Sequence, residues 1–233
     1  MNLENIEYLV VNGCSFSYGA CMYVEDPKLQ TNEITSLMYE NRFSRKLAEK
    51  LNCEDINLSQ AGGSNDRMFR TTFDWCIRNH DKVKKSLFVF GLTALSRIDL
   101  FSKQRKKHYP FLPQLQNPEG VSAQLDYIGC SAKEYHQWIE FHFKYLYDNR
   151  VASNTLRRNC VLFQNYLPNV IFFDALGHGL TKAYSMGINY FTFSDHPEDE
   201  SWQSFMKIQG HPNQEQHHTM ADLLYEHITQ TNH

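Results

Sequence analysis

The sequence predicts a three-layer α/β/α fold around about five mostly parallel strands. Two observations carry that expectation. Short apolar runs rich in β-branched and aromatic residues recur along the chain, and stretches with helical spacing separate them. Strands that alternate with helices pair in parallel, because each crossover returns the chain to the same edge of the sheet. A third observation concerns the turns. Several strands end in glycine, asparagine or serine, at the edge where open α/β sheets gather their ligands.

The elements follow in order. Residues 8–11 (YLVV) read as a buried strand ending at Asn12-Gly13. Residues 34–51 have helical spacing, with Leu37, Phe43, Leu47, Ala48 and Leu51 on one face. Residues 56–58 are a second strand, closed by Ala61-Gly62-Gly63, and Ser64-Asn65-Asp66 caps a helix to about residue 80. Residues 86–90 (SLFVF) are a third strand. Residues 98–131 break the rhythm with Pro110, Pro113, Pro118 and the basic run 103–107, and read as an irregular, exposed insertion. Residues 132–166 are helical, 170–173 and 189–193 are the last strands, and 213–228 form a closing helix. Residues 1–233 are therefore expected to make a single domain with one insertion at about 98–131.

Composition narrows the function classes. Lys and Arg number 23 against 26 Asp and Glu, a net charge of −3, which argues against a nucleic-acid partner. With 42% hydrophobic and 21% charged residues, wholesale disorder is excluded. No run approaches the ~18–20 apolar residues of a membrane span, so no membrane partner is expected. Residues 1–7 lack the basic flank and apolar run of a signal peptide, and the cytoplasm is the expected location. Cys14, Cys21, Cys53, Cys76, Cys130 and Cys160 form no C-x-x-C pair and read as reduced thiols. Gly13 and Gly19 stand six apart with no glycine between, so a dinucleotide site is a poor reading and no cofactor is expected. The oligomeric state is left open.

Chemistry gathers in the loops after the strands. Gly13-Cys14-Ser15-Phe16-Ser17 follows the first, Asn57 to Asn65 the second, and Gly91-Leu92-Thr93-Ala94 the third. Gly210-His211-Pro212-Asn213 opens the last helix. A serine, a glycine-rich turn, a hydroxyl residue and a histidine are the parts acyl transfer needs: a nucleophile, donors for an oxyanion, and a base.

In these blocks the chain resembles the SGNH (GDSL-like) hydrolase superfamily. Gly13 to Ser17 is similar to that family's Gly-Asp-Ser block, with Cys14 where the aspartate usually stands. Asn57 to Gly62 is similar to the second block, and Gly91 to the glycine of the third, where Thr93 replaces an asparagine. His211-Pro212 is similar to the end of the Asp-x-x-His-Pro block, with Ile208 at the aspartate's place. The resemblance implies a flavodoxin-like α/β/α fold and a serine esterase acting on carboxylic esters, O-acetylated carbohydrate among them. It implies Ser15 as nucleophile, His211 as base, and the amides of Ser15 and Gly62 with the Thr93 hydroxyl as oxyanion donors. With Ile208 in place, the acid has to come from elsewhere: Asp195 is the first candidate and Asp174 the alternative, unless Ser15 and His211 act as a dyad. Asn65 and Arg97 are candidates for substrate contact. The expected partner is a small-molecule or glycan ester.

Two other functions share these features: a catalytically degenerate binding or assembly protein of the same fold, favoured by Thr93 and Ile208, and an O-acyltransferase. Metal binding is not expected. His217 and His218 lie about 100° apart on a helix and hardly bind one ion, and His196 ranks below His211 as a base. An ordinary histidine pKa would make activity fall below about pH 6.

Overall fold

β1 (Tyr8–Asn12) sends alternate residues into two different cores, and the rest of the fold follows from that alternation. The computed structural model describes residues 5–20, 22, 30–111, 125, 129–174, 188–191 and 211–230. After β1 come α1 (Ser15–Tyr18), α2 (Thr31–Asn41), α3 (Phe43–Leu51), β2 (Glu54–Asn57) and α4 (Asn65–Arg78). Then follow β3 (Ser86–Leu92), β4 (Ile98–Ser102), β5 (Lys107–Phe111), α5 (Ala132–Phe141) and α6 (Asn149–Tyr166). β6 (Val170–Asp174), β7 (Tyr190–Phe191) and α7 (Gln214–Gln230) complete the described chain.

Five strands form one sheet in the order β2-β1-β3-β6-β7, and every pairing is parallel. This is the doubly wound order in which the winding direction reverses between β1 and β3, opening a crevice at their carboxyl ends. Leu9, Val11, Leu87, Val89, Ile171 and Phe173 face one side and pack on α3 and α7 through Phe43, Leu47, Met220 and Leu224. Val10, Phe88, Phe90, Leu92, Val170 and Phe172 face the other and pack on α4 and α6 through Met68, Phe69, Leu156 and Cys160. The three layers expected from the sequence are therefore present.

Several element boundaries differ from expectation, each for an identifiable reason. The helix expected over 34–51 breaks at Arg42, which is extended at φ −64° and ψ 148°. The break lets the Arg42 guanidinium reach Asp55 Oδ2 on β2 at 2.8 Å, where the Ser44 hydroxyl also donates. The helix expected over 132–166 is interrupted at Tyr147 and Asp148, and Asp148 starts α6 by accepting a hydrogen bond from the Val151 amide at 2.9 Å.

The insertion at 98–131 is not irregular throughout. Its first part is an antiparallel hairpin, β4 with β5, and the basic run occupies its turn, where Lys106 takes φ 54°. Pro110 is tolerated because a two-stranded ribbon leaves edge positions that donate no hydrogen bond. Arg70 of α4 holds the hairpin through Asp99 at 2.7 Å. Pro113 and Pro118 lie outside the described residues. Of the six cysteines, five are free thiols, and Cys21 lies outside the described residues. No helix among the described residues is long and apolar enough to cross a membrane.

Candidate active site

The switch point between β1 and β3 is where the candidate residues meet. β1 ends at Asn12, whose fully buried amide donates towards the Met68 carbonyl and the Thr71 and Thr72 hydroxyls while its Oδ1 accepts the Gly13 amide. Strand end and helix α4 are thereby locked together. A Cβ on Gly13 would lie 2.5 Å from Ser17 Oγ and 3.0 Å from the Gly91 carbonyl oxygen, and one on Gly91 would collide with Ser17 and the Phe173 ring. The two strand ends approach too closely for any side chain, which explains both glycines. Cys14 is fully buried in the core and makes no capping hydrogen bond, so this position acts as a small apolar filler.

Ser15 opens α1, a single turn closed by Gly19 at φ 84°. Its Oγ lies 2.9 Å from His211 Nε2, although the two residues are 196 positions apart. The chain around His211 is fixed by a reciprocal cap. The Asn213 amide donates to Gln216 Oε1, and the Gln216 amide donates to Asn213 Oδ1, at 2.8 and 2.9 Å. Phe16 packs on the imidazole with ring centroids 5.5 Å apart. Burial first, and then the positive charge of Arg97, hold the His211 pKa below its ordinary 6.5. The neutral ring that accepts a proton is the favoured state.

The three expected donors lie in the loops after β1, β2 and β3, at the same edge of the sheet. Among the described residues the amides of Ser15 and Gly62 have no acceptor within the protein. Gly62 takes φ 75°, a left-handed conformation that favours glycine. Among the described residues the buried Thr93 hydroxyl has no hydrogen-bond partner, while the Thr93 main chain is pinned on both sides by the Asn65 side chain at 2.8 and 2.9 Å. Asn65, a candidate for substrate contact, thus spends one donor and one acceptor on positioning Thr93.

Arg67 and Asn57 also hold the turn; the sequence marked Asn57 as the start of the second block but did not show what either side chain touches. Arg67 donates to Gln60 Oε1 at 2.7 Å and to the Leu58 carbonyl at 3.0 Å, bracing the turn that contains Gly62. Asn57 links the Ser17 carbonyl, the Ser44 hydroxyl and the Ser59 amide. An Asn after a strand and an Arg in a first helical turn are common, and only the fold shows what they touch.

Asp174 stands at the end of β6, opposite Leu92, on the same edge of the sheet, and is buried. It is not bonded to His211: among the described residues, the imidazole's hydrogen bond is to Ser15. Asp195, Ile208, Gly210, His178 and His196 lie outside the described residues. His217 is fully buried, stacks on Phe43, and accepts the Phe43 amide at Nδ1, and burial pushes its pKa down to about 3. It is a core residue of α7. Among the described residues no group of three or more His, Cys, Asp or Glu side chains is arranged to hold a metal ion.

Two cavities lie near the hairpin. One of about 380 Å³ is apolar, lined by Leu100, Cys130, Glu134, Tyr135 and Trp138, and includes none of the candidate site residues. A smaller one of about 130 Å³ includes Asn65 and Arg97.

No family model and no curated protein matches the chain. Among solved structures, the psychrotrophic esterase EstA from Pseudoalteromonas sp., in a form inhibited by monoethylphosphonate, is similar to it at 11% identity and a TM-score of 0.49. The match covers 96% of this chain and 97% of that one.

Proposed function

We propose that the protein is a serine ester hydrolase in which Ser15 is the nucleophile and His211 its base. The observation that carries this reading is the 2.9 Å contact between Ser15 Oγ and His211 Nε2 at the switch point of the sheet. The unbonded amides of Ser15 and Gly62 and the unpartnered Thr93 hydroxyl support it. In the first step His211 Nε2 takes the Ser15 proton as Oγ bonds to the ester carbonyl carbon. The carbonyl oxygen becomes an oxyanion held by the two amides and the Thr93 hydroxyl. Collapse of the adduct breaks the bond to the alcohol, which leaves with the proton from His211. Water then attacks the acyl-serine, His211 takes its proton, and the carboxylic acid departs as Ser15 is restored. Carboxylic esters, including O-acetylated carbohydrate, are the substrate class.

Labelling with a fluorophosphonate probe tests this directly, because only an activated serine reacts. Mass-spectrometric modification at Ser15, together with hydrolysis of p-nitrophenyl acetate, is the expected result. No label, and hydrolysis no faster than buffer on short- and long-chain esters, would leave a degenerate binding or assembly protein. A serine acylated by the substrate but released only to an added alcohol would mark an O-acyltransferase.

The oxyanion role of Thr93 has its own test. Thr93→Val keeps the shape and removes the donor, and is expected to lower kcat by about 10²–10³. Thr93→Ser, which keeps the hydroxyl, is expected to retain most of the activity. Equal losses in both variants would assign Thr93 to packing.

A further inference from the structure

The cavity beside the reaction centre is small and lined by several polar side chains, and among the described residues its Arg97 makes no ion pair. We propose that Arg97, with Asn65, Thr155 and Asn159, forms a subsite for an anionic group, so that the preferred ester carries a carboxylate or a similar monoanion. The proposal rests on the esterase reading and names the substrate class of that same site.

Size limits what the cavity takes. Whole-ligand pockets measure ~300–1,000 Å³, whereas this one measures about 130 Å³. At ~30 Å³ per water, that is room for one substituent of a substrate and not for the whole molecule. Its position ties it to the chemistry. Asn65 lines it and holds the Thr93 main chain, and Arg97 lines it and places a positive charge within reach of His211.

The Arg97 guanidinium is unusual in its company. Its Nη1 is buried with no hydrogen bond, and among the described residues the group makes no ion pair. An unsatisfied buried donor is destabilising, and more so when it is charged. A bound carboxylate would remove that cost through the guanidinium's paired N–H groups. Asp66 lines the same cavity but is not ion-paired with Arg97. Burial first, and then Asp99, raise its pKa, which favours the neutral acid, so Asp66 does not neutralise the cation from within.

Charge adds a second reason. General-base catalysis turns His211 into an imidazolium, and among the described residues the positive groups near it are Arg97 from the β3–β4 connection and, when protonated, His217 from α7. His217 is neutral near pH 7, which leaves Arg97 as the charge that opposes the step. An anion seated on Arg97 cancels that repulsion at the moment the imidazolium forms. A neutral ester leaves it in place.

Three esters separate the arrangements: p-nitrophenyl acetate as the neutral reference, mono-p-nitrophenyl succinate with the anion on the acyl side, and 4-acetoxybenzoate with it on the alcohol side. Rates are divided by each ester's own hydroxide-catalysed rate. The wild type is expected to favour one anionic ester over the neutral one by roughly 10- to 100-fold in kcat/KM, the scale of a charged hydrogen bond, and that ester shows on which side the cavity lies. Arg97→Gln should bring the ratio close to one and move the acid limb of the pH profile upward, while Arg97→Lys keeps part of the preference. Absence of any preference in the wild type overturns the proposal. So does an Arg97→Gln variant that slows all three esters equally with its acid limb unmoved, because that is the mark of a structural role. If the wild type hydrolyses none of them, the His211 imidazole is followed by NMR as succinate is added. An upward shift of its titration that Arg97→Gln abolishes keeps the anion site while the esterase reading falls. No shift removes both.

Discussion

Ser15→Ala and His211→Ala are each expected to lower ester hydrolysis by about 10³- to 10⁶-fold, because a nucleophile and its base act as one unit and either loss stops the same step. The double variant should be little worse than either single one, and this non-additivity separates a shared proton transfer from two independent defects. Initial rates on p-nitrophenyl acetate, with each variant's circular dichroism matched to the wild type, make the measurement. Additive losses would mean that the two side chains do not cooperate. The same assay decides the acid. Asp174 is not bonded to His211, so Asp174→Asn is expected to cost little in kcat; a loss of up to ~10⁴ in Asp195→Asn would mark that residue as the acid, and no loss in either would mark a Ser15–His211 dyad. The acid limb should lie below pH 6.5, since burial and Arg97 both depress the His211 pKa.

Acid is expected to unfold this protein largely through a residue with no part in the chemistry. His217 is neutral and fully buried, with a folded pKa of about 3 against the ordinary 6.5. Below 6.5 the unfolded chain gains a proton that the folded protein refuses. Stability is therefore complete above 6.5 and is lost as pH falls towards 3. The slope from this one group approaches ~1.4 kcal/mol per pH unit, and the loss comes to about 2 kcal/mol between pH 6.5 and 4.5. Urea titrations of the wild type and His217→Gln over that range provide the test. The variant is expected to be less stable at pH 7, where it loses the stacking on Phe43, but to have a shallower dependence on pH. Parallel curves would show that His217 is not the group being protonated.

The centre of the sheet was legible because β1, β3 and β6 are nearly continuous apolar runs, and burial on both faces demands that of a parallel sheet. The break at Arg42 was not. The apolar spacing continues through it from Leu37 to Leu51, and the Asp55 carboxylate that draws Arg42 out of the helix lies 13 residues away. The β4–β5 hairpin escaped because proline and lysine obscure its alternation. In the site, Ser15 and His211 stood out because each follows a turn at the ligand-binding edge. The Asn213–Gln216 cap was also readable, as a three-residue spacing before a helix. The bonds made by Asn12, Asn65 and Arg67 left no such trace. An amide that grips a main chain 28 residues away, as Asn65 does, has no local pattern.

The distance along the chain between Ser15 and His211 has a consequence for synthesis. A ribosome delivers the serine, the strands of the sheet and the glycine-rich turns long before it delivers the imidazole. On the proposed reading, Ser15 stays an ordinary alcohol until α7 has emerged and packed against α3, where Lys50 meets Asp222 at 2.7 Å. Labelling of Ser15 by an activity probe is then expected to count only those molecules in which α7 is in place.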